Sequence, residues 1–104
     1  MASDQSFVTY VCDQLAGTGD IRSRKMFGDY MVYVDDRPVV LVCDNTVYIK
    51  ELPVVEDLLR EAERGCPYEG AKEHYILDID DRMLSHEVIA RLLPVTPIPR
   101  SKSR

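Results

Sequence analysis

Cysteine and histidine are scarce in this chain, and their placement excludes the chemistries that depend on them. The three cysteines, Cys12, Cys43 and Cys66, are widely and irregularly spaced, no CxxC pair occurs, and only His74 and His86 could assist them. That pattern fits neither a disulfide framework nor a zinc module, so no metal and no cofactor is expected and the thiols are read as small apolar packing groups. Long apolar runs are also missing. Stretches such as Pro38–Cys43 are far too short to span a bilayer. The start, Met1-Ala2-Ser3-Asp4-Gln5, has no basic segment followed by an apolar one, so no secretory signal is read there and a cytoplasmic protein is expected. There is no GxGxxG, Walker loop, GxSxG or HExxH, which removes the usual nucleotide-binding and hydrolytic signatures.

An excess of positive charge is lacking too. The formal net charge is −5, and the segment Ile98–Arg104 alone holds Arg100, Lys102 and Arg104 with no acid. The preceding body is therefore left with 10 basic against 18 acidic residues. So acidic a body repels phosphate backbones and argues against strong autonomous DNA binding.

What is present is an ordinary globular composition, 45% hydrophobic and 30% charged over 104 residues, enough for one domain and one core. Phe7, Val8, Val11, Cys12 and Leu15 recur at helical spacing after a cap at Ser3 or Asp4, and Gly17 supplies the stop. Four short strands follow within Ile21–Lys50. The first, Ile21–Met26, is too basic for a doubly buried place and suits an edge. Tyr30–Val34 and Val39–Cys43 pair around an Asp35–Pro38 turn, and Asp44-Asn45 is a two-residue hairpin loop before Thr46–Lys50. Pro53 opens a second helix with Val55, Leu58, Leu59 and Ala62 on its buried face, ended by Gly65. His74–Ile79 alternates as a fifth strand; Ser85 caps a third helix, with Leu84 and Ile89 stapling the cap, and Pro94 stops it. The predicted fold class is thus α+β: helix, four-strand antiparallel meander, helix, strand, helix, forming a five-stranded antiparallel sheet with packed helices. The domain is read as residues 1–94, followed by a mobile basic Pro/Ser tail over 95–104.

The run Arg24-Lys25-Met26-Phe27-Gly28, then Tyr30 and Tyr33, then Thr46-Val47-Tyr48-Ile49-Lys50 after a short acidic turn, resembles the N-terminal domain of the TfoX/Sxy competence-regulator family. The resemblance covers about residues 3–94. It implies a fold related to the secretion-chaperone-like architecture. It also implies a role in transcriptional regulation of DNA uptake, exercised with a cyclic-AMP-responsive activator rather than by catalysis. Asp29 and Met31 stand where the family pattern has glycine, which implies a different loop shape after Gly28. The full-length regulators carry a second, C-terminal helical domain with no counterpart here, so a stand-alone domain is expected.

Candidate sites are few. Arg22, Arg24 and Lys25 form the compact basic cluster of the body and could contact phosphate or an acidic partner; the plainer reading is a solvated edge strand with surface ion pairs. Met26, Phe27 and Gly28 are read as structural, two core anchors and a glycine at a sharp bend. Asp78, Asp80 and Asp81 are read as turn and helix-start residues rather than a metal site. Both faces of the central strands are apolar, so either a helix covers each face or one face is a binding surface. Helices are expected over both, leaving a residual patch of Met31, Tyr33, Val40, Val42 and Tyr48. The function expected is a non-catalytic regulatory protein-interaction module, with a transcription regulator among its candidate partners and a homodimer permitted through the same patch. The alternative is weak nucleic-acid binding through Arg22, Arg24, Lys25 and the basic tail.

Overall fold

The first helical stripe folds as expected. In the computed structural model, which describes residues 4–26 and 29–99, helix α1 spans Gln5–Gln14 and buries Val8 and Val11, with Leu15 buried just beyond its end. Asp4 occupies the cap position, but its side chain makes no capping bond; its amide instead donates to Asn45 Oδ1 at 2.8 Å. Gly17 takes φ 101°, a left-handed stop that an L-residue resists.

Six strands follow: β1 Ile21–Met26, β2 Asp29–Val34, β3 Arg37–Cys43, β4 Thr46–Lys50, β5 Arg64–Gly65 and β6 His74–Ile76. They form one antiparallel sheet in the order β1-β2-β3-β4-β6-β5. The hairpins are set by turn chemistry. Asp35-Asp36 and Asp44-Asn45 each place two consecutive residues at positive φ, between 51° and 67°. That geometry matches the right-handed twist of the flanking strands, and Asp and Asn tolerate it better than most side chains. Pro38, which has no amide to donate, sits at a bulge: Val32 pairs with Val40 and Tyr33 with Pro38, leaving Val39 as the extra residue.

Two expectations about the second half are corrected. The predicted second helix is a short 3-10 turn, Pro53–Val55, followed by further turns; Leu59 N donates to Val55 O and Ala62 N to Leu59 O. Val55 and Leu59 are still buried, so the apolar spacing was met without a regular helix. The chain must return to the sheet edge, because Arg64 and Gly65, expected to end a helix, pair with Tyr75 and His74 as a sixth strand. The strand expected over His74–Ile79 regularises only to Ile76, although Leu77 N still donates to Val47 O at 2.9 Å.

Helix α2, Arg82–Leu92, starts earlier than expected. Asp81 is its cap, accepting from Leu84 N at 3.1 Å, while Ser85 lies buried inside the helix and returns its hydroxyl to Asp81 O. A carboxylate so placed also suits the positive end of the helix. The helix gives way at Pro94 to a second 3-10 turn, Leu93–Val95. Beyond it, Arg37 donates through Nη1 to the Thr96 carbonyl.

The core joins Val8, Val11 and Leu15 from the α1 region, Val88, Ile89 and Leu92 from α2, Val55 and Leu59 from the turns, and the strands between.

Candidate functional site

Residues directly opposite one another across an antiparallel ladder project to the same side, so the register sorts the strands into two faces. Tyr30 faces Val42, Val42 faces Val47, Val32 faces Val40, and Ile49 faces Tyr75. All of these are buried and belong to the cluster that contains the buried residues of α1 and α2. Both helices therefore lie on one face. The expectation of a helix over each face is corrected: among the described residues, none covers the other.

On that uncovered face, one row crosses five strands: Arg24, Met31, Leu41, Tyr48 and Ile76 are successive partners from β1 through β6. Arg22, Tyr33 and Pro38 form part of the next row. Met31, Tyr33, Leu41, Tyr48 and Ile76 are half-buried, yet stand outside the core cluster.

The residues of the expected patch divide between the two faces. Met31, Tyr33 and Tyr48 share the open face, but Val40 and Val42 are on the other side, nearly inaccessible beneath the helices. Leu41 and Ile76 take their place. The signal was in the hairpin: a two-residue Asp44-Asn45 loop sets Cys43 opposite Thr46, and hence Leu41 opposite Tyr48.

Local contacts shape the surface. The Tyr48 ring meets His74 edge-on, centroids 6.3 Å apart at 90°. Cys43 lies on this side of the sheet but is only 2% exposed; burial first, and a hydrogen bond to Asp29 second, push its thiol up to about 12. Burial also raises the Tyr48 phenol, with the nearby Cys43 and Asp44 adding to it.

The basic cluster does not converge. Arg22 and Arg24 share the open face, since they pair with Tyr33 and Met31, whereas Lys25 pairs with Tyr30 and takes the core side. Arg22 is held by Asp36. Arg24 and Lys25 are exposed and form no ion pair among the described residues. Met26, opposite Asp29, ends β1 on the open face. Phe27 and Gly28, and with them the expected anchor and bend, lie outside the described residues, as does Arg100–Arg104.

The acidic residues are engaged in local structure. Asp78 Oδ1 accepts from Asp80 N, Asp80 accepts from the Tyr10 hydroxyl, and Asp81 caps α2. His86 Nε2 lies 2.8 Å from the Gln14 carbonyl and Arg82 donates to the Ala16 carbonyl, so both attend the C-terminal end of α1. Among the described residues, no group of three or more His, Cys, Asp or Glu is placed to hold a metal ion. A shallow groove of about 410 Å³ at β6 is lined by Leu58, Leu59, Ala62, Ile76, Leu77 and Leu84 with Glu61, Glu63 and Asp78, and by no nucleophile or histidine.

The matched region of known proteins coincides with this framework. A model of the TfoX N-terminal domain matches residues 13–93, from the last turn of α1 to the end of α2. This chain belongs to the TfoX N-terminal domain family. It is also 36% identical over 78 residues to a protein of Spirochaeta aurantia described as an uncharacterized 12.7 kDa protein in the trpE 5′ region, a match spanning 75% of this chain and 68% of that protein. The family match contains every strand of the sheet, and so the whole uncovered face. No helix among the described residues is long and apolar enough to cross a membrane.

Proposed function

We propose that this TfoX N-terminal domain is a non-catalytic regulatory module that works by binding another protein, as in a competence-type transcription regulator. The observation that carries the reading is the apolar row Met31, Leu41, Tyr48 and Ile76 on a sheet face that no described element covers. An antiparallel sheet in a two-layer domain ordinarily turns polar side chains to water on its open side. A contiguous apolar centre there marks an interaction surface. Among the described residues, Arg22 is paired with Asp36 and Lys25 faces away from Arg24, so the three basic residues of β1 do not converge on one phosphate backbone.

The test compares partners recovered from the native cell by the unaltered chain, by Leu41→Lys and by Met83→Lys, a control at an exposed α2 position. A partner retained by the control and lost with Leu41→Lys supports the reading; identical partner sets for all three sink it. Anisotropy with generic and regulatory duplexes addresses the nucleic-acid alternative, which requires tight binding that collapses steeply with salt and depends on Arg22 and Arg24.

A further inference from the structure

The centre of the uncovered face differs in charge from the chain as a whole, which carries 18 acidic and 13 basic residues. On β1 to β4 the register places Arg22, Arg24 and Lys50 on this face against Asp29, and the acids Glu61, Glu63 and Asp78 gather only at the far border, beside Ile76. The Asp29 carboxylate is engaged by the Cys43 thiol, and Arg22 by Asp36. Arg24 and Lys50 remain exposed and form no ion pair among the described residues. They flank the apolar centre: Arg24 continues the row on β1, and Lys50 lies two residues beyond Tyr48 on β4.

We infer that this face docks an acidic amphipathic helix of another protein, its apolar stripe on Met31, Leu41 and Tyr48 and its flanking carboxylates on Arg24 and Lys50. The dimensions agree. Strands lie about 4.8 Å apart, so β2 to β4 spans about 10 Å, the width of one helix with its side chains. Arg24, on β1, then stands on one flank, where an amphipathic helix changes from apolar to polar, and Lys50 lies about 7 Å further along β4 from Tyr48, toward one end of the helix. A second copy related by an axis across the strands is a poorer occupant, because it sets Arg24 toward Arg24 and opposes like charges.

The inference rests on the reading of this face as a protein-binding surface, and the experiment separates the two. The probe is a labelled designed helix of about 16 residues with leucines at i, i+3, i+4 and i+7 spacing, made once with flanking glutamates and once with lysines. Binding is followed by anisotropy at low and high salt, beside sedimentation of the free protein. The glutamate helix is expected to bind about tenfold more tightly than the lysine helix, with the advantage shrinking as salt rises. That preference should reverse in Arg24→Glu/Lys50→Glu, whose altered side chains are exposed, and both helices should be lost with Leu41→Lys at unchanged circular dichroism. Equal binding of the two helices, abolished by Leu41→Lys, would leave the face standing and overturn the acidic partner. Failure of both helices overturns the inference, and a concentration-dependent dimer dissolved by Leu41→Lys would then assign the face to a second copy.

Discussion

Leu41 and Val42 are chain neighbours on β3 with opposite surroundings, and substituting each is the sharpest check on the two faces. Val42 is fully buried between Tyr30 and Val47, beneath the helices. Val42→Ala removes two methyl groups, worth about 0.8 kcal/mol each. An incompletely relaxed cavity adds about 1 kcal/mol. The sum, about 2–3 kcal/mol, corresponds to a fall of about 10–20 °C in melting temperature for a domain of this size. Leu41 is half-buried and outside the core cluster. Leu41→Ala should cost less than about 1 kcal/mol, and Leu41→Lys should also fold, because the ammonium reaches water while its stem lies on Met31 and Tyr48. Val42→Lys should not fold. Thermal and urea melts followed by circular dichroism decide the matter. If Leu41→Lys costs as much as Val42→Ala, something covers the second face and the binding-surface argument fails.

Gly19→Ala should be destabilising by about 1–3 kcal/mol, because the added carbon would lie 2.8 Å from Val34 Cγ1 and 2.9 Å from the Asp35 carboxylate that holds the Asp20 amide. Gly65→Ala, which meets its nearest atom at 3.4 Å, serves as the tolerated comparison in the same melts. Asp81→Ala should cost about 1 kcal/mol through loss of the α2 cap, and Asp81→Asn should restore most of it. Iodoacetamide at mildly alkaline pH should label exposed Cys66 rapidly and Cys43 hardly at all, as read by peptide mass spectrometry. The native state holds the Cys43 proton up to about 12, whereas an unfolded thiol loses it near 8.5. Unfolding therefore releases a proton in that window, and stability should decline as pH rises from about 9 toward 12, less so in Cys43→Ala.

The elements that sequence made legible are those whose formation is local. The α1 stripe with its Gly17 stop, the meander and the Asp44-Asn45 hairpin each follow from spacing and turn chemistry within a few residues. The misses needed tertiary information. Val55, Leu58, Leu59 and Ala62 have helical spacing, but the segment must deliver Arg64 to Tyr75 on the sheet edge, and pairing there overrode the helix. Ser85 looked like a cap because the hydroxyl precedes an apolar run; Asp81, four residues earlier, makes the capping bond. For the site, alternation along β2 separated Met31 and Tyr33 from the core correctly. The phase of β3 against it depends on register, and the bulge at Val39 shifts that register between the two ends of the β2–β3 pair.

The basic residues of β1 serve two purposes that alternation along the strand keeps apart. β1 is an edge strand, and an unpaired edge of six residues invites association with other strands unless charge discourages it. Arg22, Arg24 and Lys25 satisfy that requirement on both sides of the strand. Edge protection alone, however, does not require Arg24 to stand at the end of an apolar row without an ion pair among the described residues while Arg22, two residues away, is held by Asp36. Nor does it explain the exposed Lys50, two residues beyond Tyr48 on the interior strand β4. Since solvation of the edge accounts for Lys25 and leaves Arg24 and Lys50 over, the uncovered face, rather than the basic cluster as a unit, is the better place to seek the partner.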